Sequence, residues 1–239
     1  MAIRRLAEKQ PKNFAFSKEN LAWAQRELTK YPEGRQASAV IPLLWKAQEQ
    51  EGWVTEPAIR VIADMLGMAH IRVLEVATFY TMFNLEPVGK YLVQLCGTTP
   101  CMLRGAEDLK TVCRRRIGEQ EHITKDGKFS WREVECLGAC VNAPMVQINY
   151  DYYEDLTPEN FERLLDDLAA GKKVKTGPQI DRQFSAPIGG PTTLTNGNGS
   201  GARGAKEPRL SDDDAKRPGA AANKRDSARP TPAPDPTRK

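Results

Sequence analysis

Two stretches decide the fold: Lys90 to Cys101, KYLVQLCGTTPC, and Phe129 to Cys140, FSWREVECLGAC. Each opens with a run rich in aromatic and branched residues, the composition of a β-strand. Each then breaks into a loop bounded by cysteines. The first strand, Lys90 to Leu95, ends at Cys96; the second, Phe129 to Glu135, ends at Cys136. Between them, residues 101–118 read as helix, with Leu103, Leu109, Val112 and Ile117 as apolar points, and Lys125-Asp126-Gly127-Lys128 marks a turn. Met145 to Ile148 and Tyr150 to Tyr153 read as two further strands. Thr157-Pro158-Glu159 opens a helix whose apolar stripe is Phe161, Leu164, Leu165 and Leu168, and Gly171 ends it. The order β-α-β-β-α predicts a small α/β layer structure.

Upstream of Pro87 the periodicity is helical. Leu21, Ala24 and Leu28 follow Ser17, which can cap a helix. A second helix is expected from Ser38 to Gln50, with Pro42 in its first turn or kinking it. Thr55 can cap a third, with Pro57 just inside, Ile59, Ile62, Ala63 and Leu66 as its stripe, and Gly67 as its stop. A fourth carries Val73, Val76, Ala77 and Tyr80 on one face. Four amphipathic helices joined by short connections predict a helical bundle. The fold class is therefore α+β, divided into an N-terminal four-helix bundle over residues 1–86, an α/β domain over 87–176 and a tail over 177–239.

The tail has its own composition. Residues 171–239 carry 14 Lys+Arg against 7 Asp+Glu, whereas the rest carries 21 against 24. From Gly177 onward Gly, Pro, Ala, Thr, Asn, Lys and Asp dominate, so the segment is expected to be disordered, too poor in apolar surface to offset its ordering entropy. Trimming the residues after roughly 180 is accordingly expected to leave intact the metal cluster that the cysteines below point to. The basic charge reads as a solvated tail rather than a nucleic-acid site. No apolar run is long enough to span a bilayer, and no apolar core follows the basic Met1 to Arg5, so neither a transmembrane helix nor a signal peptide is expected.

The chain has five cysteines. The spacing Cys96-x4-Cys101, a long gap, then Cys136-x3-Cys140 places one pair after each strand. If both loops lie at one end of a sheet, four sulfurs converge, the requirement for an iron–sulfur cluster. Gly97 and Gly138 lie inside these loops and can take up positive φ, turning backbone N–H groups toward sulfur, while Thr98 and Thr99 offer hydroxyls. The competing readings are a four-cysteine zinc site, a redox disulfide and unrelated buried thiols. Zinc favours tighter knuckles, and the C-x-x-C of a redox disulfide is missing.

Several segments carry a resemblance: Tyr31-Pro32 with Ala37 to Ala47 (ASAVIPLLWKA), Gln50-Glu51-Gly52-Trp53, Val76 to Leu85 (VATFYTMFNL), Cys96 to Cys101 (CGTTPC) and Glu135 to Met145 (ECLGACVNAPM). In this order they resemble the small [2Fe-2S] subunit of the NADH dehydrogenase module of respiratory complex I, the bacterial counterpart of the mitochondrial 24-kilodalton subunit. The resemblance spans residues 15–175 and leaves out the tail. It implies a thioredoxin-like fold for the α/β domain, with Cys96, Cys101, Cys136 and Cys140 ligating one [2Fe-2S] cluster. It implies a flavin- and NADH-binding partner subunit that holds FMN, other peripheral-arm subunits beside it, and a place on the cytoplasmic side of the bacterial inner membrane. The chain would then act within NADH:quinone oxidoreductase and have no dehydrogenase activity alone. Similar subunits serve NAD-linked hydrogenases and formate dehydrogenases, which is the alternative assignment.

Other residues have plainer readings. Cys113 lies on the helix between the ligand pairs and reads as a packed thiol. His70 and His122 have no metal-spaced partner, and the run Arg114-Arg115-Arg116 reads as a solvated or interface face. There is no G-x-G-x-x-G or phosphate-binding loop, so the chain itself is not expected to bind nucleotide. Glu133 and Glu135 approach Cys136 along the strand; Glu135 is expected to lower a cluster's potential if its carboxylate points inward.

Overall fold

The computed structural model describes residues 4–188. The tail expected over 177–239 falls outside these residues from 189 onward.

Helices α1 (Lys18–Leu28), α2 (Val40–Glu51), α3 (Glu56–Leu66) and α4 (His70–Phe79) form the N-terminal half. Their ends follow the capping chemistry of the sequence. Ser17 accepts from the Asn20 N–H and Thr55 from the Ala58 N–H, each satisfying a first-turn donor that the helix cannot. Gly52 and Gly67 end α2 and α3 in the left-handed conformation. The expected second helix is split: Gln36–Ala39 is a short 3-10 turn, and α2 proper begins at Val40 with Pro42 in its first turn, where no N–H is needed. Leu43, Leu44, Ile59, Ile62, Val73, Ala77 and Phe83 are fully buried together.

The second half is a five-stranded sheet in the order β2-β1-β3-β4-β5. Its strands are β1 (Tyr91–Cys96), β2 (Phe129–Val134), β3 (Val146–Ile148), β4 (Asp151–Glu154) and β5 (Gly177–Pro178). β1 and β2 run parallel, with Tyr91 opposite Phe129 and Cys96 opposite Val134. β3 is antiparallel to both β1 and β4, and β5 is parallel to β4. The helix expected over 101–118 is two helices, α5 (Thr99–Leu103) and α6 (Ala106–Arg116). They break at Gly105, whose φ of 108° no ordinary residue adopts easily. Helix α7 (Pro158–Ala169) begins with a reciprocal capping box between Thr157 and Asn160.

Helices α6 and α7 cover one face of the sheet. Leu109, Val112 and Cys113 from α6 and Phe161, Leu164 and Leu165 from α7 share a core with Val93, Leu95, Trp131 and Val146. Fully burying such side chains contributes about 1.5–3 kcal/mol each. Trp131 also donates from Nε1 to the Gly118 carbonyl at 2.7 Å, so its one polar atom is satisfied. On the opposite face, Leu92, Gln94, Arg132 and Gln147 line a groove of about 670 Å³ whose far wall includes Trp45, Gln48 and Glu49 of α2. The Trp45 and Tyr150 rings stand 5.4 Å apart across it.

One expectation needs correction. Residues 177–188 do not begin a structureless tail. Gly177 and Pro178 pair with β4, and Arg182 buries its guanidinium against Asp155. The order there comes from main-chain pairing and one buried charge, neither of which leaves an apolar period in the sequence.

Gly89 is a point of close approach between the parallel strands. Its N–H donates to Ser130 Oγ at 3.0 Å, and a Cβ there would sit 2.4 Å from the Phe129 carbonyl carbon. Gly89→Ala is therefore expected to destabilise the protein by about 1–3 kcal/mol, because a backbone atom must move. The measurement is the urea midpoint; an unchanged midpoint would show that β2 yields freely.

Candidate iron–sulfur site

Because β1 and β2 are adjacent and parallel, the loops leaving them emerge at the same end of the sheet. Cys96 is the last residue of β1, and Cys101 lies in the short helix α5. Cys136 follows β2 by two residues, and Cys140 opens a 3-10 turn, Cys140–Asn142. The four thiols fall in two pairs, Cys96 beside Cys101 and Cys136 beside Cys140, each pair within electrostatic reach of the other. Cys96 and Cys101 are buried, whereas Cys136 and Cys140 are exposed. Among the described residues, no three His, Cys, Asp or Glu side chains gather in the manner of a single-ion site.

The sulfurs are supplied with donors. Thr98 Oγ1 lies 3.4 Å from Cys96 Sγ. Burial works to raise the Cys96 pKa, but hydrogen bonds from the Thr98 hydroxyl and from backbone N–H groups, including that of Leu137 in the Cys136–Cys140 loop, outweigh it and hold the thiol below its ordinary value. Burial pushes Cys101 up to about 12, reinforced by the neighbouring Cys96 sulfur and opposed by the Met145 N–H. Its partner raises Cys140 as well: Cys136, hydrogen-bonded to it, favours the neutral thiol. Without a bound group, each pair that shares a proton resists losing it. Positive charge placed between the thiols would remove that resistance, which suits the set to metal ligation.

The two loop glycines play different parts. Gly138 has φ 82°, and its N–H reaches Cys136 Sγ at 3.4 Å, as expected of a residue that turns its amide toward sulfur. Gly97 does not. Its N–H pairs instead with the Val134 carbonyl at 3.3 Å, continuing the parallel ladder. Its missing Cβ makes room for Glu133, whose Oε1 would lie only 1.9 Å from that atom. Glu133 is held there by Lys110, 2.8 Å away and itself bonded to Glu107. The carboxylate against the Cys96–Cys101 loop is therefore that of Glu133, while Glu135 lies past the end of β2. The Lys110 pairing that selects Glu133 is a long-range contact no local pattern announces.

The remaining residues fall elsewhere. Cys113 is fully buried in the sheet–helix core. His70 Nε2 faces Glu56 Oε1 at 3.4 Å, far along the chain from the thiols. Arg115 pairs with Glu162 and Arg116 with Asp166, tying α6 to α7 at the surface.

A mixed sheet with helices on one face carries four thiols at the shared end of two parallel strands, a donor set that suits an iron–sulfur cluster. Residues 24–169 match the family of thioredoxin-like [2Fe-2S] ferredoxins. The first E subunit of the NADH-quinone oxidoreductase of Rhizobium meliloti is 64% identical over 200 residues, which cover 81% of this chain and 73% of the relative. The corresponding E subunit of Rickettsia bellii is 56% identical over 158 residues, covering 65% of this chain and 95% of the relative. Among solved structures, the air-oxidised NAD+-reducing [NiFe]-hydrogenase aligns with a TM-score of 0.49 and 16% identity, covering 56% of this chain and 23% of that one. The chain belongs to the thioredoxin-like [2Fe-2S] ferredoxins, in the group formed by the E subunits of NADH-quinone oxidoreductase.

Burial holds the Cys113 thiol at about 12, so below that pH it stays protonated and a poor nucleophile. In the native, metal-free chain Cys113 is expected to resist iodoacetamide at pH near 8 and to react only on unfolding. Cys113→Ala is expected to leave iron content unchanged and to cost about 1 kcal/mol for the space it leaves. Loss of iron in a folded Cys113→Ala chain would put it back among the ligands.

Proposed function

We propose that the chain is the electron-carrying subunit of the NADH dehydrogenase module of complex I, with Cys96, Cys101, Cys136 and Cys140 ligating one [2Fe-2S] cluster. One observation carries this reading: the parallel β1–β2 pair delivers two thiol pairs to one end of the sheet, with N–H donors on them. Bound there, the cluster supplies reversible one-electron chemistry. The chain's part is to hold it and to set the charge around it. The Thr98 hydroxyl and the N–H groups of Leu137, Gly138 and Met145 stabilise negative charge on sulfur.

The exposed edge suits exchange with a partner. Cys136 and Cys140 reach the surface, and Leu103 and Val141, each close in sequence to a ligand, are 77% and 66% exposed, which gives the edge an apolar rim. That edge is proposed to face the flavin- and NADH-binding subunit, which holds FMN and passes single electrons to this chain. No helix among the described residues is long and apolar enough to cross a membrane. Its likeness to the E subunits supports a place in the peripheral arm, on the cytoplasmic side, beside other arm subunits. Lacking nucleotide-binding motifs, it is expected to oxidise no NADH alone.

The test is metal analysis and EPR of the dithionite-reduced full chain. About two irons per chain and a rhombic signal are expected. A colourless chain carrying zinc would overturn the reading. Replacing any one of the four cysteines with serine is expected to lower iron content, or to alter the EPR signal where serine substitutes as ligand.

Glu133 is placed to tune the potential. A carboxylate near the centre disfavours added negative charge, so Glu133→Gln is expected to raise the midpoint potential, on the order of tens of millivolts after screening. Glu135→Gln is expected to do less. A larger shift from Glu135 in redox titration would reverse the assignment.

A further inference from the structure

The segment Gly177–Ile188 lies beyond the matched family region, which ends at residue 169, yet Arg182 and Phe184 bond with the two residues that follow Cys140. Gly177 and Pro178 join the sheet beside β4, and the Gln179 N–H donates to the Glu154 carbonyl at 2.9 Å. The chain then meets residues 141 and 142. Arg182, its side chain 4% exposed, donates from Nη1 to Asp155 Oδ1 at 2.9 Å and to the Val141 carbonyl at 3.3 Å, and from Nε to the Ala186 carbonyl at 2.6 Å. Its guanidinium fork thus joins three segments: the end of β4, the ligand loop and the strap itself.

Asn142 makes the second clasp. It is 1% exposed, and its Nδ2 donates both to Glu154 Oε2 at 2.7 Å and to the Phe184 carbonyl at 2.9 Å. Its own carbonyl accepts from the Asp155 N–H at 2.8 Å. Val141 and Asn142 directly follow Cys140, so both clasps fix the backbone that aims this sulfur. Cys140 is otherwise at an exposed edge, away from the core packing that orients Cys96 and Cys101. A buried ion pair contributes little net stability, and here it fixes geometry, which is what a ligand on an exposed loop lacks.

We propose that residues 177–188 are a strap that positions the Cys140 ligand loop, with Arg182 as its positioning residue. This rests on Cys140 being a cluster ligand. Truncation near residue 180 would then loosen the cluster rather than leave it untouched.

The experiment uses the full chain carrying its cluster. Arg182→Met is compared with wild type and with Gln183→Ala, an exposed neighbour in the same strap. For Arg182→Met, iron release to a chelator is expected to quicken about 10–100-fold, the usual effect of losing an outer-shell partner. The EPR spectrum of the reduced protein is expected to broaden or shift its g values. Gln183→Ala should match wild type in both, and far-UV circular dichroism should be unchanged throughout. Release and g values unchanged in a folded Arg182→Met chain would overturn the proposal. A second measurement needs no variant. If the strap stabilises the loaded site, loading must stabilise the strap by the same coupling. Amide exchange at Arg182 and Ala186 should therefore slow on cluster loading by more than that of helix α3. Equal protection would overturn the proposal even if Arg182→Met failed to fold. A wild-type chain that takes up no cluster would instead sink the assignment of the ligands.

Discussion

The structure depends on the parallel pairing of β1 with β2. Parallel strands cannot be joined by a tight turn, so the chain must cross back over the sheet, and it does so through α5 and α6. That crossing has two consequences. It supplies the helix that covers one face, with Leu109 and Cys113 buried against Trp131. It also obliges both strands to end at the same edge, where Cys96 stands opposite Val134 and Cys136 follows two residues later. A register shifted by one residue would turn every side chain of β2 to the other face. Trp131 would leave the core, and Glu133 would leave the Gly97 loop. The core and the thiol site are thus tied to the same ladder.

The site divides its work between rigid and adaptable parts. Cys96 and Cys101 are buried, placed by a strand end and a helical turn. Cys136 and Cys140 sit on an exposed loop, where backbone geometry alone would leave them loose. Three fixtures compensate: the Gly138 amide on Cys136, the Tyr152 hydroxyl donating to the Leu137 carbonyl at 2.8 Å, and the clasps around Asn142. Exposure is useful to a carrier that must pass electrons between subunits. The cost is that polar contacts, rather than packing, must hold the two exposed cysteines.

What the sequence discloses follows the range of the interactions. Ser17, Thr55 and Thr157 announce their helices because a cap is a local bond, and all three side chains accept from the amide three residues on. The strand-end cysteines are legible because strand, loop and ligand are contiguous. The α5–α6 break is not, because Gly105 sits inside an otherwise helical composition, and only its φ of 108° reveals a stop. Gly97 is obscure for a related reason. A glycine that makes room for a distant Glu133 looks, in sequence, the same as one that turns its amide inward. Residues 177–188 are hidden most completely, since their order rests on Arg182, whose partner Asp155 is 27 residues away.

Arg182 also separates net charge from the role of a single charge. Residues 171–239 carry 14 basic against 7 acidic side chains, and a basic run ordinarily means solvated surface. Arg182 belongs to that count but not to that role. Its guanidinium is buried against Asp155, and further donors are taken up by two backbone carbonyls. Composition averages over residues that share a sign, and desolvation separates them. An arginine of the same charge can be solvated in one place and, in another, buried against a carboxylate while it donates to the carbonyl next to Cys140. Among the described residues, a buried and paired charge extends the folded domain past the point where composition turns polar. In the described chain that places Arg182 inside the domain, five residues beyond the point where apolar periodicity stops.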